Sequence, residues 1–278
     1  MPVIALTQEM GSLAKDVAVR LGEIAGLQVM RHEVAENVAG RMHVETSLVH
    51  RLRGGKAGLR ERMTTDRQQV AVFTAEEVFA LAQRGNTVLR GWGATLLLRP
   101  VPHVVSVRIT RPFAQRVDWL MDNLGTDDRE SAEAEVRRSD DAHASRMRAQ
   151  FGVTWGDPLL YDLVINMERV SVDSAAAQVL ALAQRPEFQE TDASRATLEG
   201  LALSARVRAA LAASESTRET NVAISGNGGK KVVLTGLVLN DKERDEVARV
   251  ASTVAGKGKV ENKLGVMNVS RRFTHSKT

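Results

Sequence analysis

Near its N-terminus the chain reads VIALTQEMGSLAKDVAVRLGEI over residues 3–24. A short apolar run comes first, a turn containing Gly11 follows, and apolar residues from Leu13 to Ile24 then recur at helical spacing. This order predicts a strand, a tight loop and a helix. A glycine-containing loop that leads into a helix favours anions, because backbone N–H groups and the helix dipole both point toward it.

Strand and helix patterns alternate through the first two thirds of the chain. Four more strands are predicted, at 26–30, 86–90, 104–109 and 162–165. The helices include one opened by a capping box at Thr74–Glu77, one after Pro112, a long exposed one over 127–150 and a closing one at Val172–Ala183. The pattern predicts an α/β fold with a parallel five-stranded sheet covered by helices on both faces.

Parallel sheets of this kind bind ligands beyond the carboxyl ends of their strands. The segments that follow Leu6, Arg90, Ile109 and Ile165 are therefore the first candidates for a functional site.

The pattern changes near Arg185. We predict a first domain over 1–184, a polar, helix-poor linker over 185–197, a small α+β domain over 198–270 and a basic tail over 271–278. Within the small domain the predicted order is α-β-β-α-β, with a tight turn at Asn227–Gly229, and Gly236 marks either a bulge or close packing.

Composition excludes several classes of site. The 278 residues include no cysteine, which rules out disulfides, thiol catalysis and Cys-ligated metals. Aromatic residues are 4%, so an aromatic platform for nucleic acid is not expected, and the six histidines show no ligand spacing, so no metal site is predicted. Without an apolar run of ~20 residues or a basic leader at the N-terminus, we expect a cytoplasmic protein.

Positive charge is concentrated at the C-terminus. Residues 256–278 hold six Lys or Arg and one acid, whereas the whole chain has a net charge of +4. Two interpretations are open. The tail is either a solvated segment or a contact for an anionic surface such as lipid headgroups.

Two families are similar to parts of this sequence. The opening segment Ile4–Ser12, the turn Gly91–Ala94 and the closing segments Trp155–Pro158 and Tyr161–Asn166 resemble the cytidylate-kinase-like branch of the P-loop nucleoside-monophosphate kinases, over residues 1–183. Residues 198–269, with Val232–Gly236 and Val260–Leu264, resemble a BON domain, a module associated with phospholipid or membrane attachment.

The first resemblance implies ATP with Mg²⁺ as cofactor and CMP or a similar pyrimidine monophosphate as acceptor. It places the donor phosphates at the loop, with Gly11, Ser12, Lys15 and Asp16 as candidate cofactor-binding residues, and it implies a lid over 127–150. The resemblance also implies further candidates. They are Lys15, Arg137 and Arg146 as catalytic residues, Arg111, Arg116 and Arg148 as cofactor-binding residues, and Arg90, Trp92 and Asp157 as substrate-binding residues.

The loop departs from the family pattern at several positions. Leu13 and Ala14 stand where glycines are expected, and Asp16 stands where a hydroxyl residue would hold Mg²⁺, although Lys15 agrees with the branch. Trp92 replaces an arginine expected near the acceptor phosphate, and only the neighbouring Arg90 could substitute for it. Asp16 could instead bind Mg²⁺ itself or complement the helix dipole.

Two hypotheses about function follow. In the first, this is a pseudo-kinase with a degenerate loop, a regulatory, sensing or scaffold protein whose BON-like domain contacts a membrane or partner chains. In the second, it is an active kinase that transfers the γ-phosphate of ATP to CMP or a similar acceptor. Both allow a homo-oligomer and a peripheral position at the inner membrane face.

Overall fold

The computed structural model describes residues 1–30, 32–53, 56–58, 67–91, 93–228 and 231–267. By its internal contacts the chain divides into two units, Met1–Leu198 and Glu199–Thr278. Among the described residues, no helix has both the length and the apolar character needed to cross a membrane.

A single parallel sheet organises the first unit. Its strands are β1 Val3–Gln8, β2 Gln28–Met30, β3 Thr87–Arg90, β4 Val104–Thr110 and β5 Leu163–Asn166. Their spatial order is β2-β3-β1-β4-β5, and every neighbouring pair is parallel. The predicted five-stranded parallel sheet is confirmed. The chain reverses its strand order around β1, so the end of β1 opens at a topological switch point.

Helices of the first unit connect these strands. They are α1 Ala14–Ala25, α2 His32–Met42, α3 Thr46–Arg53, α4 Arg67–Arg84, α5 Ala94–Leu97, α6 Phe113–Leu124, α7 Arg129–Phe151 and α8 Val172–Ala183. The main apolar core joins α1 and α8 to one face of the sheet, with Val17, Leu21 and Val179 fully buried. On the opposite face β1 and β4 present the side chains of Thr7 and Arg108, which contact Trp155.

Two local predictions about helices are wrong. Thr74 does not open a helix, because α4 already runs from Arg67 and Thr74 is 2% exposed within it. Val70 and Phe73 are buried as well, so tertiary packing extends the helix upstream of the apparent capping box. The helix expected to be fully exposed over 127–150 also buries one stripe, through Ala132, Val136 and Met147 of α7.

The second unit is a small α+β fold. Helix α9, Asp192–Ala213, precedes β6 Ala223–Asn227, β7 Lys231–Val238, helix α10 Asp241–Ala255 and β8 Val260–Val266. The sheet order is β6-β7-β8, antiparallel between β6 and β7 and parallel between β7 and β8. The α-β-β-α-β order is confirmed, and Asn240 caps α10 through the Glu243 N–H. The turn residue Gly229 and the tail 271–278 lie outside the described residues.

Helix α9 begins earlier than predicted. Residues 192–197 are helical although a helix-poor linker was expected there. Thr191 and Ser194 explain the difference, because the Ser194 N–H donates to Thr191 Oγ1 at 3.1 Å while the Thr191 N–H donates to Ser194 Oγ at 2.9 Å. This reciprocal cap has the form of a capping box with serine in place of the usual glutamate.

Candidate nucleotide site

The loop between β1 and α1 lies at the switch point of the sheet. It follows Gln8 and continues to Leu13, and its neighbours are the segments that leave β3 at Gly91 and β4 at Arg111. These are three of the positions that the sequence pattern indicated. The structure therefore brings the first candidate segments together at one edge of the sheet, where parallel α/β folds bind ligands.

The loop backbone has a shape that favours glycine at two positions. Gly11 has φ +75°, and a Cβ there would lie 2.9 Å from the carbonyl oxygen of Arg116. Leu13 has φ +63° and is the N-cap of α1. A leucine in this left-handed conformation costs ~1–2 kcal/mol. The chain thus keeps the left-handed backbone at a position where the family pattern has glycine.

Helix α1 offers open backbone donors at the loop. Leu13 caps the helix with no side-chain hydrogen bond, so the N–H groups of the first turn lack a side-chain acceptor. Ser12 is 1% exposed, and its Oγ has no hydrogen-bond partner. Lys15 and Asp16 are exposed in the first turn. The first turn of α1 therefore presents backbone N–H donors, together with one cationic and one anionic side chain.

Glu9 is the centre of a network that the sequence did not reveal. Its Oε1 accepts from Arg108 Nη2 at 2.6 Å, and its Oε2 accepts from Thr110 Oγ1 at 2.6 Å and from the Arg111 N–H at 3.4 Å. Arg116 Nε lies 3.6 Å from the same oxygen. The side chain of Glu9 is 12% exposed, so this loop carboxylate is almost buried and surrounded by donors.

Arg116 connects the loop to two helices. Its Nη1 and Nη2 donate to Asp140 Oδ1 and Oδ2 of α7 at 3.0 and 2.9 Å, a bidentate pair. Its Nε donates to the Arg111 carbonyl at 3.1 Å, and Nη1 reaches the Met10 carbonyl at 3.5 Å. Arg116 was predicted to bind cofactor, and in the structure its guanidinium is 7% exposed and holds carboxylates.

Arg108 is held in an aromatic setting. Its guanidinium lies 4.3 Å from the centroid of the Trp155 ring, and its Nη1 donates to the Trp155 carbonyl at 3.2 Å. Tyr161 donates its hydroxyl to the same carbonyl at 2.7 Å, and His143 of α7 stacks on Trp155 at 4.4 Å. Burial raises the pKa of Tyr161. Trp155 and Tyr161, from the two segments that resemble the family's closing signature, therefore pack around Arg108.

Two of the predicted substrate-binding residues, Arg90 and Asp157, have hydrogen-bond partners in the described part of the chain. Arg90 is 6% exposed, and its Nη1 donates to Gln8 Oε1 at 3.0 Å, so it lies beside the loop. Asp157 accepts from the Leu159 N–H at 2.9 Å and caps a short 3₁₀ helix over Pro158–Leu160. Trp92 lies outside the described residues.

The remaining predicted arginines differ in how accessible they are. Arg137 is exposed, pairs with Glu133 at 3.5 Å and lies 4.3 Å from the centroid of the Phe113 ring. Arg146 is partly buried, and burial lowers its pKa to about 10. Arg148 is exposed near the end of α7, and Arg111 donates from Nε to Gln115 Oε1 at 2.9 Å.

Metal-binding chemistry is sparse at this edge. Within the described ranges, no group of three or more His, Asp or Glu side chains could hold a metal ion. Asp16 is the exposed carboxylate in the first turn of α1 and would be the protein ligand for a Mg²⁺ ion carried by phosphates.

Comparison with known proteins agrees with this fold. The cytidylate kinase-like family matches residues 3–169, which is more than half of the chain. The protein belongs to the cytidylate kinase-like family. The BON domain family matches residues 201–268, so a BON domain follows the kinase-like unit along the chain. No curated protein matches the chain.

Solved structures resemble the kinase-like unit. An uncharacterized protein from Eubacterium ventriosum is 20% identical with a TM-score of 0.52, covering 66% of this chain and 100% of its own. Shikimate kinases from Acinetobacter baumannii, in complex with shikimate, and from Bacteroides thetaiotaomicron are both 13% identical. Their TM-scores are 0.41 and 0.42. Each match covers 66% of this chain, and it covers 92% of the first kinase and 99% of the second.

Proposed function

We propose that the kinase-like unit binds the phosphates of a nucleotide at the loop Glu9–Asp16 and works as a regulatory or scaffold unit with little phosphoryl transfer. The observation that carries the proposal is the charge balance beside the loop. Two of the buried cations there, Arg108 and Arg116, are neutralised by Glu9 and Asp140. The third, Arg90, donates to the amide oxygen of Gln8.

Support for binding comes from the backbone. Gly11 and Leu13 hold left-handed conformations, α1 presents its first N–H groups without a side-chain cap, and Lys15 is exposed in the first turn. A helix N-terminus attracts phosphate through these N–H groups and the dipole, whichever side chains surround it. ATP with Mg²⁺ is the ligand that the family membership suggests.

Support for weak catalysis comes from the side chains. Phosphoryl transfer spreads negative charge over the oxygens of the transferring group, and kinases stabilise that charge with cations that are free to reach it. Here Arg108 and Arg116 already hold carboxylates at 2.6–3.0 Å. Moving either guanidinium to a phosphate would separate it from a partly buried carboxylate, which is costly.

An active kinase is the second candidate, and the exposed side chains favour it. Lys15 in the first turn of α1, with Arg137 and Arg148 on α7, could approach phosphates without breaking the buried network. In that case Gly11, Ser12 and Lys15 would hold the donor phosphates, and the arginines of α7, including Arg146, would stabilise the transferring charge.

Calorimetric titration with ATP–Mg²⁺, repeated with CMP present, tests the site. We expect micromolar binding by the wild type and at least tenfold weaker binding by Lys15→Ala, with Lys242→Ala of α10 as a matched control that binds normally. We expect turnover near background with CMP and other monophosphates. Turnover that Lys15→Ala abolishes would establish the kinase alternative, and silence toward ATP in every protein would refute the nucleotide site.

For the BON unit we propose contact with an anionic membrane surface. Leu237, Leu239 and Met267 are 59%, 64% and 44% exposed at the adjacent ends of β7 and β8, where the Met267 N–H donates to the Val238 carbonyl at 2.8 Å. The sequence that follows contains Arg271, Arg272 and Lys277. Apolar side chains beside basic ones suit the interface of an anionic bilayer.

Sedimentation of the full chain with anionic vesicles tests this second proposal. We expect binding that falls as salt rises, and loss of binding when Leu237 and Leu239 are both changed to Ser. The matched control changes the exposed Leu159 of the other unit to Ser and should bind normally. If the protein does not sediment with the vesicles even at low salt, anionic lipid is excluded as the ligand of the BON unit. A protein partner or a second copy of the chain would then be the remaining candidates.

A further inference from the structure

The pair between Asp140 and Arg116 joins the long helix α7 to the nucleotide loop. Arg116 Nη1 is 3.0 Å from Asp140 Oδ1 and 3.5 Å from the Met10 carbonyl, so one guanidinium contacts both the helix and the loop. Its main chain also lies directly against Gly11. A change in the ion pair of Arg116 therefore acts directly on Met10 and Gly11 of the loop.

The charges of this network sum to zero. Glu9 and Asp140 contribute two negative charges, and Arg108 and Arg116 contribute two positive charges, all with side chains at most 28% exposed. Glu9 keeps Arg108, Thr110 and the Arg111 N–H as partners whether or not Asp140 is present. Asp140 is the member that comes from another helix and is the most exposed of the four.

We propose, on the basis of the proposed nucleotide site, that Asp140 is an internal competitor for the ligand's phosphate. It neutralises Arg116 while the loop is empty, and an anion at the loop weakens its hold. Because coupling between two binding events is reciprocal, whatever holds Asp140 on Arg116 lowers the affinity of the loop for the anion. The α7 helix then reports the state of the loop.

A second contact explains how α7 can respond without leaving the unit. His143, one turn after Asp140, stacks on Trp155 at 4.4 Å, and Val136 and Met147 are buried on the same helix. These contacts do not depend on charge at the loop. Weakening the Asp140 pair therefore loosens one turn of α7 while the helix stays packed.

The chain offers a matched control for this idea. Asp141 is the next residue of α7 and is exposed, so Asp141→Asn removes the same charge from the same turn without touching Arg116. A unit charge ~8 Å away at an effective dielectric of ~20 changes affinity by about 30-fold before salt screening. In 0.15 M salt we expect Asp140→Asn to bind ATP–Mg²⁺ about five to ten times more tightly than the wild type.

Calorimetry on the full chain compares the wild type with Asp140→Asn, Asp140→Glu and Asp141→Asn. We expect the gain only in Asp140→Asn, wild-type affinity in Asp141→Asn and return toward wild type in Asp140→Glu. A merely structural role for Asp140 would lower affinity, so Asp140→Asn binding no more tightly than Asp141→Asn overturns the proposal. Binding by none of the four proteins refutes the nucleotide site and this proposal with it.

A second pair of variants tests the charge of Asp140 in a background where Arg116 has been neutralised. Arg116→Gln gives the network one excess negative charge and should bind ATP–Mg²⁺ more weakly than the wild type. Adding Asp140→Asn to it restores neutrality and should return the affinity to within about twofold of the wild type. If the double variant binds no better than Arg116→Gln alone, the charge of Asp140 does not act on the ligand.

Discussion

Leu13 allows a sharp test of the loop backbone. Its φ of +63° costs a β-carbon-bearing residue ~1–2 kcal/mol, a penalty that glycine avoids. Its side chain is half-buried against the α1–α8 core, which stabilises the fold by about 1 kcal/mol. Leu13→Ala loses the packing and keeps the strain. Leu13→Gly loses the packing, relieves the strain and gains some freedom in the unfolded chain.

These contributions predict an unusual order of stability. We expect Leu13→Ala to lower the free energy of unfolding by about 1–2 kcal/mol, and Leu13→Gly to be about 1 kcal/mol more stable than Leu13→Ala. At ordinary positions in a helix the order is the reverse.

Urea unfolding followed by tryptophan fluorescence measures this difference. The three tryptophans, Trp92, Trp119 and Trp155, all lie in the first unit, so the signal reports that unit alone. The control is Val19→Ala against Val19→Gly on the exposed side of α1, where alanine should be the more stable. If alanine is also the more stable residue at position 13, Leu13 is not strained, and the argument that the loop preserves a phosphate-binding backbone fails.

Three further predictions follow from polar contacts. Glu9→Gln should lower the free energy of unfolding of the first unit by about 3 kcal/mol, because it removes the negative charge that pairs with buried guanidiniums. In the same urea assay Asp118→Asn, which breaks an exposed ion pair, should lower it by under ~1 kcal/mol. Burial lowers the pKa of His103 below its ordinary value of 6.5, so on acidification the imidazole is protonated at a higher pH in the unfolded chain than in the folded one. The stability of the folded state should therefore fall as the pH drops from about 7 to 5. In thermal melts, His103→Gln should reduce this dependence of the melting temperature on pH. On the edge strand β8, Asn262 Oδ1 accepts a hydrogen bond from the Leu264 N–H at 3.0 Å and so blocks this donor from pairing with another strand. Asn262→Val should leave the donor open and increase self-association in analytical ultracentrifugation. Unchanged sedimentation would show that Asn262 does not protect the edge.

Sequence patterns predicted the sheet well because its signals are local. Each strand is a short apolar run between polar or glycine residues, and alternation with helices is enough to imply parallel pairing. The start of α4 was missed for the opposite reason. Thr74–Glu77 has the local signature of a cap, and only the burial of Val70 and Phe73 against other elements continues the helix through it.

The chain order predicted which segments meet at the edge of the sheet, but not the contacts they make. Gly11, Lys15 and Arg116 follow β1 and β4, and the parallel pairing of these strands brings their ends together. No spacing pattern indicated the contacts of Glu9. Its partner Arg108 is 99 residues away, and no spacing rule connects residues across such a distance. A charged residue inside an otherwise apolar strand, such as Arg108 in β4, was the available signal.

The strained Leu13 and the buried Glu9 are linked through the backbone of the loop. Strain in a backbone persists only where its surroundings hold it. Here Glu9 holds the loop through Arg108, Thr110 and the Arg111 N–H, and Gly11 packs on Arg116, so no ligand is needed to keep the shape. The same contacts pair Arg108 and Arg116 with carboxylates. The scaffold function proposed above would require this combination, a loop held in shape for a phosphate beside guanidiniums that are already paired.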